Sequence, residues 1–122
     1  MSAAPAKSTL PYFGGKRTLA PVIVEELGKH RAYCEPFMGS LAVLLAKPHS
    51  SMEIANDLWG HAVNLARVIA SDRYADLADR VERTLVHEGV FAEAKAACPD
   101  EIDEPAPSIE EVKDSHVNAA YW

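Results

Sequence analysis

A β-prone run, Arg31-Ala-Tyr-Cys-Glu-Pro-Phe37, stops at Pro36 and turns through Gly39 into the apolar stretch Ser40-Leu-Ala-Val-Leu-Leu-Ala46. No other feature constrains the fold as strongly. Proline cannot donate to a sheet ladder, so the strand ends there, and the stretch after Gly39 predicts a helix capped by Ser40. Lys47-Pro-His-Ser-Ser51 is a loop by composition, and Met52-Glu-Ile-Ala-Asn56 predicts a second strand closed by Asp57. Strand, helix and strand in this order form a βαβ unit, which places the chain in the α/β class with a parallel sheet.

Helical spacing dominates elsewhere. Leu19, Val22, Ile23 and Leu27 predict a helix within 18–27, with Pro21 tolerable only in its first turn and Gly28 suited to a left-handed cap. Leu58, Ala62, Leu65, Ala66 and Ile69 predict another, and Tyr74, Leu77, Ala78, Val81 and Leu85 a third. Arg67, Arg73, Arg80 and Arg83 then fall outside the core as solvated helix charges. A shorter helix from about Glu88 to Ala97 closes at Pro99, and an exposed acidic linker continues to Ser108. Val117-Asn-Ala-Ala-Tyr-Trp122 reads as an element just starting, whose two aromatics await burial, and so predicts a truncated chain. The expected organisation is a loose leader over 1–10, the βαβ part over 11–70, a helical region over 71–98, and the acidic linker with the start of a further element over 99–122.

A chain of 122 residues supports one domain with a core. No apolar run of eighteen residues is present, so no membrane span is expected, and the N-terminus lacks a secretory signal, which predicts a cytoplasmic protein. Cys34 and Cys98 have no metal-binding or redox spacing and read as reduced thiols, and His30, His49, His61, His87 and His116 show no pattern of metal ligation. The net charge of −6 comes from one place: between Asp100 and Asp114 seven acids face a single base, Lys113, while residues 1–98 are balanced. Charge therefore neither requires nor excludes a nucleic-acid partner.

Two stretches carry candidate chemistry. Asp57 stands eighteen residues after Gly39. In open α/β sheets a glycine after the first strand lets a cofactor approach the backbone, and an acid after the second accepts ribose hydroxyls. An adenosine-containing cofactor fits this spacing; so does a plain turn at Gly39 with Asp57 capping the next helix. Gly39 is followed by no further glycine, which disfavours the pyrophosphate of NAD or FAD. Tyr12-Phe-Gly-Gly-Lys16 fails as a phosphate loop, because Leu10 stands where its first glycine belongs and Arg17 where Ser or Thr belongs. It suits either a ligand whose carboxylate meets Lys16 and whose ring meets Tyr12, or a surface turn with Lys16 and Arg17 solvated.

Together, Tyr12-Phe-Gly-Gly-Lys16, Glu35-Pro-Phe-Met-Gly39 and Asn56-Asp57 resemble the Dam-like DNA adenine methyltransferases, from Pro11 to about Ile69. That family opens on an aromatic-x-Gly-Gly-Lys motif, ends its first strand on Glu-Pro-Phe-x-Gly and its second on Asn-Asp. The resemblance implies a partial Rossmann-like S-adenosylmethionine-dependent methyltransferase fold followed by helices of an incomplete recognition region. It implies that Tyr12, Lys16 and Asp57 contact S-adenosylmethionine, with Asp57 on the ribose. Gly14 and Gly15 belong to the same opening motif, Phe37 and Gly39 shape the pocket, and Glu35 and Pro36 fix the strand end. The implied reaction is methyl transfer to the N6 amine of an adenine in DNA, rotated out of the duplex.

Two departures qualify it. Leu41 stands where many relatives have a second glycine, and the catalytic Asp-Pro-Pro-Tyr motif occurs nowhere in the sequence. No catalytic residue is therefore assigned in this chain, which is expected to be inactive alone, to reach DNA through segments mostly absent, and to need a complementing chain or to self-associate. The alternative is a non-catalytic α/β binding or interaction module that retains a methyltransferase-like pocket.

Overall fold

The structure, a computed structural model, describes residues 6–98 and 109–121. The acidic linker expected over 99–108 lies outside the described residues. The elements are α1 (Ala20–Leu27), β1 (Ala32–Glu35), α2 (Ala42–Ala46), β2 (Met52–Ala55), α3 (Gly60–Ala70), α4 (Tyr74–Arg83), α5 (Glu88–Ala97), a 3-10 turn (Ile109–Glu111) and α6 (Asp114–Tyr121). They divide into two compact units, Met1–Leu58 and Trp59–Trp122.

In the first unit β1 and β2 pair in parallel, from Ala32 opposite Met52 to Glu35 opposite Ala55, and α2 lies on the crossover between them. The predicted βαβ order is thus present as a two-stranded sheet. Ala20, Tyr33, Ala42 and Val43 form its core, with Ile23, Val24 and Leu44 packed against them. Successive strand residues point to opposite faces: Tyr33 and Glu35 are buried, while Ala32, Cys34, Met52 and Ile54 form an exposed face. Thr9 is tied to the same unit, donating from its backbone N–H (2.9 Å) and its hydroxyl (3.1 Å) to the Ser40 carbonyl.

Local chemistry departs from expectation at two turns. Pro21 sits in the first turn of α1 as predicted, but Gly28 caps it at φ 56°, ψ −159°, a positive φ with extended ψ rather than a left-handed helical cap. Ser40 does not cap α2. The Leu41 N–H donates to the Met38 carbonyl at 2.9 Å, closing a turn over Met38–Leu41, so the helix starts only at Ala42, after Leu41 in the left-handed conformation (φ 60°, ψ 22°).

The second unit is helical. Val68, Leu77 and Val117, from α3, α4 and α6, form its core, with Leu65, Ile69 and Tyr121 beside them. Buried Asn64 donates to the His116 carbonyl at 3.0 Å, which ties α3 to α6. Leu58, predicted to open the α3 stripe, precedes the helix and is 97% exposed. Of the predicted stripe, Ala62 is buried and Leu65 and Ile69 pack against the core, while Asn64 and Val68, which the spacing did not mark, are buried as well where α3 meets α6. On α4 only Leu77 is buried, so the predicted stripe through Tyr74, Val81 and Leu85 is largely open. Arg73 pairs with Asp76 (2.6 Å) and Asp114, and Arg83 with Asp79 (2.7 Å), so these cations serve the chain's own surface. No helix among the described residues is long and apolar enough to cross a membrane.

Candidate cofactor-binding site

The parallel ladder does not stop at the strand ends. Asn56 N–H donates to the Glu35 carbonyl and Met38 N–H to the Asn56 carbonyl, both at 2.9 Å, so the segment after β1 stays registered on the segment after β2. This brings Asp57 to Gly39, whose N–H donates to Asp57 Oδ2 at 2.8 Å. Gly39 has φ 49°, a conformation that favours glycine. A Cβ at that position would lie 3.5 Å from the Tyr12 ring, so Tyr12 rests against the bare backbone of the turn.

Tyr12 is placed by its own turn. The Gly15 N–H donates to the Tyr12 carbonyl at 2.9 Å, and Gly14 between them takes φ 72°. A Cβ on Gly15 would stand 2.9 Å from that carbonyl oxygen, closer than real contacts allow, so glycine is required there by space. The turn delivers Lys16, whose ammonium donates to the Phe37 carbonyl at 2.8 Å and lies 3.4 Å from Glu35 Oε1. The Lys16 side chain remains 35% exposed, whereas the Glu35 side chain is 7% exposed.

These segments enclose a cleft of about 270 Å3 at the carboxyl end of β1. Tyr12, Gly14, Gly15, Lys16, Phe37, Gly39 and Asp57 all line it, joined by Met38, Ser40 and Ala42, which sequence reasoning did not single out. Glu35 and Pro36 do not line it; Glu35 stands behind Lys16. A larger cleft of about 610 Å3 lies in the second unit between Val81, Leu85, Val86, Phe91, Ala94 and Tyr121. Its walls are mostly apolar, and none of the motif residues reaches it, so size does not make it the better candidate.

Two buried groups of the first unit were not foreseen. Tyr33, two residues before Glu35 on the same strand face, donates its hydroxyl to Glu35 Oε2 at 2.9 Å. Burial foremost, then this hydrogen bond and the neighbouring negative charges, raises the Tyr33 pKa well above that of a free tyrosine, so the hydroxyl stays a donor. The alternation of a strand, read from Tyr33 to Glu35, was the available signal. Lys47, assigned to a loop, has a fully buried side chain that meets Glu53 Oε1 at 2.5 Å and the Pro48 carbonyl at 2.8 Å. Its hydrogen bond, followed by one from the Ser50 N–H at 2.9 Å, holds the Glu53 carboxyl below its ordinary range.

Against known proteins, the family model described as D12 class N6 adenine-specific DNA methyltransferase matches residues 12–117. Neither a curated protein nor a solved structure matches the chain.

Proposed function

The chain belongs to the D12 class of N6 adenine-specific DNA methyltransferases, and from that premise we propose that its first unit is the S-adenosylmethionine-binding part of a Rossmann-like methyltransferase. The observation that carries this reading is the convergence of Tyr12 and Lys16 from one stretch of sequence and Asp57 from another on Gly39 of a third, in one cleft at the end of a parallel strand. Ligands of open α/β sheets bind at that end.

The residues fit the cofactor by type. Lys16 offers a partly exposed cation to a carboxylate, the Tyr12 ring offers an apolar face, and Asp57 brings to the cleft a carboxylate, the kind of acceptor ribose hydroxyls need. Gly14 leaves backbone bare along the wall, and Gly39 gives the Tyr12 ring the space to lie against the turn. A volume of about 270 Å3 is just under the roughly 300–1,000 Å3 usual for small-molecule pockets. The cleft therefore takes one end of the cofactor and leaves the rest across its open mouth.

The bound cofactor supplies a methyl group on a sulfonium centre, and adenine in DNA supplies the accepting amine. No Asp-Pro-Pro-Tyr motif occurs in these 122 residues, so on this reading the chain binds the cofactor in the cytoplasm without transferring its methyl group, and recognition and catalysis require further residues. The test is calorimetry with S-adenosylmethionine on the purified chain, beside Lys16→Ala and Asp57→Ala. Binding weakened by both substitutions supports the assignment. Binding indifferent to both, or none by folded protein, removes it.

A further inference from the structure

We propose that Tyr33 is a positioning residue for the cleft, which fixes the cation Lys16 by holding Glu35 from behind; this rests on reading the cleft as the cofactor site. Three hydrogen-bonding or ionic contacts form one line. Tyr33 Oη donates to Glu35 Oε2 at 2.9 Å, Glu35 Oε1 lies 3.4 Å from Lys16 Nζ, and Lys16 Nζ donates to the Phe37 carbonyl at 2.8 Å. Lys16 and Phe37, at the end of that line, border the cleft, and Tyr33 and Glu35 stand behind them.

The orientation of Glu35 is what needs explaining. Its carboxylate is almost wholly buried, and among the described residues Oε1 accepts no hydrogen bond and the ammonium of Lys16 is the one cation paired with it. A buried carboxylate with one oxygen so lightly held would turn toward any better donor. The Tyr33 hydroxyl prevents this by fixing the other oxygen.

Tyr33 is itself immobilised. Its ring is buried in the core with Ala20, Ala42 and Val43, with the Lys47 ammonium 4.8 Å from its centroid on the ring face and the His30 ring 5.7 Å away. The hydroxyl is therefore a fixed point from which the order Tyr33, Glu35, Lys16 is set. Its raised pKa keeps the proton available to Glu35 at working pH.

Tyr33→Phe tests this in the full chain, because it removes only the hydroxyl and keeps the ring under Lys47. Selective carbon-13 lysine labelling gives a readout that needs no cofactor. The Lys16 side-chain resonance, assigned by its loss in Lys16→Arg, is expected to move in Tyr33→Phe and again in Glu35→Gln, while that of Lys47 stays in place. Calorimetry adds a second readout: Tyr33→Phe is expected to weaken S-adenosylmethionine binding roughly three- to tenfold in the wild-type background and not at all in Lys16→Ala.

A Lys16 resonance unmoved by Tyr33→Phe overturns the proposal, as does equal weakening in both backgrounds, which is what a merely structural hydroxyl would give. If the wild type binds no cofactor yet Lys16 responds to Tyr33→Phe, the positioning role stands and the cofactor assignment falls.

Discussion

Asp57, the residue after Asn56 at the end of the β2 segment, holds the N–H of Gly39 in the turn that follows β1, 2.8 Å from its Oδ2. The contact joins the ends of two parallel strands, so the acid that closes the second strand also sets the shape of the turn after the first. On the proposed reading of the cleft, cofactor binding and turn structure are coupled at Asp57, and the proper comparison is between two substitutions.

Asp57→Asn keeps a side-chain oxygen that can accept the Gly39 N–H but removes the charge, so the turn is expected to survive while S-adenosylmethionine affinity falls about tenfold, the difference between charged and neutral hydrogen bonds. Asp57→Ala removes both and is expected to cost a further 1–2 kcal/mol or so of stability from the unpaired N–H. Thermal melts beside calorimetry check this. Equal stability of the two variants would remove the clamp at Gly39 from the argument.

Gly15→Ala places a methyl group 2.9 Å from the Tyr12 carbonyl, which is backbone and cannot step aside without moving the turn. The expected cost is about 1–3 kcal/mol, with cofactor binding lost because Tyr12 and Lys16 move together. Gly14→Ala meets no atom but inherits φ 72°, so it is expected to cost about 1–2 kcal/mol while leaving the space of the cleft unchanged. Denaturant unfolding separates the two. A stable, binding-competent Gly15→Ala would show that the Tyr12 turn has more freedom than its geometry implies.

The geometry of the candidate site was legible where chemistry followed sequence spacing. Gly39 to Asp57, and the Tyr12 to Lys16 turn, could be read because strand ends and glycine turns leave local marks, and these segments meet around one cleft. Lys47 could not, because a lysine before Pro-His-Ser-Ser has the signature of a solvated loop and only the fold supplies Glu53 and the Tyr33 ring. Leu58 shows the reverse error: it falls at helical spacing with Ala62 and Leu65, yet spacing cannot say where a helix begins, and α3 starts after it. Ser40 was an expected cap, but the turn closed by Leu41 on Met38 leaves no room for one.

Leu41 sets two effects against each other. Its φ of 60° costs about 1–2 kcal/mol for a residue with a Cβ, which Leu41→Gly would recover. The same change exposes the space of a buried leucine, worth about 1.5–3 kcal/mol, and adds about 0.5–1 kcal/mol of backbone entropy. Burial and entropy together outweigh strain, so Leu41→Gly is expected to destabilise by about 1.5 kcal/mol. A more stable variant in chemical denaturation would mean that strain dominates.

Glu53 makes stability depend on acid. Its carboxyl is held below its ordinary value of 4.5, first by Lys47 and then by the Ser50 N–H. A folded-state pKa below the unfolded one gives stability that is complete above about pH 4.5 and is lost as the pH falls through the folded value. Glu53→Gln strands the buried Lys47 ammonium and is expected to cost about 2 kcal/mol at pH 7, less than the 3–5 kcal/mol of a fully buried pair because Glu53 is 24% exposed. The gap between wild type and variant should close as the pH drops below 4.5. A gap independent of pH would place the loss in packing rather than charge.

The exposed face of the sheet carries the last prediction. Parallel partners share a face, so Ala32 and Cys34 of β1 lie beside Met52 and Ile54 of β2, and all four are exposed. Among the described residues each strand of the two-stranded sheet also has one edge with no strand beside it. An apolar face next to open edges favours association with a second copy of the chain. Sedimentation velocity is expected to show concentration-dependent association of the purified chain. Ile54→Lys, which puts a charge at the centre of that face without touching the Tyr33 core, is expected to shift it toward monomer with little change in the melting temperature. A wild-type chain that stays monomeric as its concentration rises would show that this face does not drive association. Association unaffected by Ile54→Lys would place the contact elsewhere on the molecule.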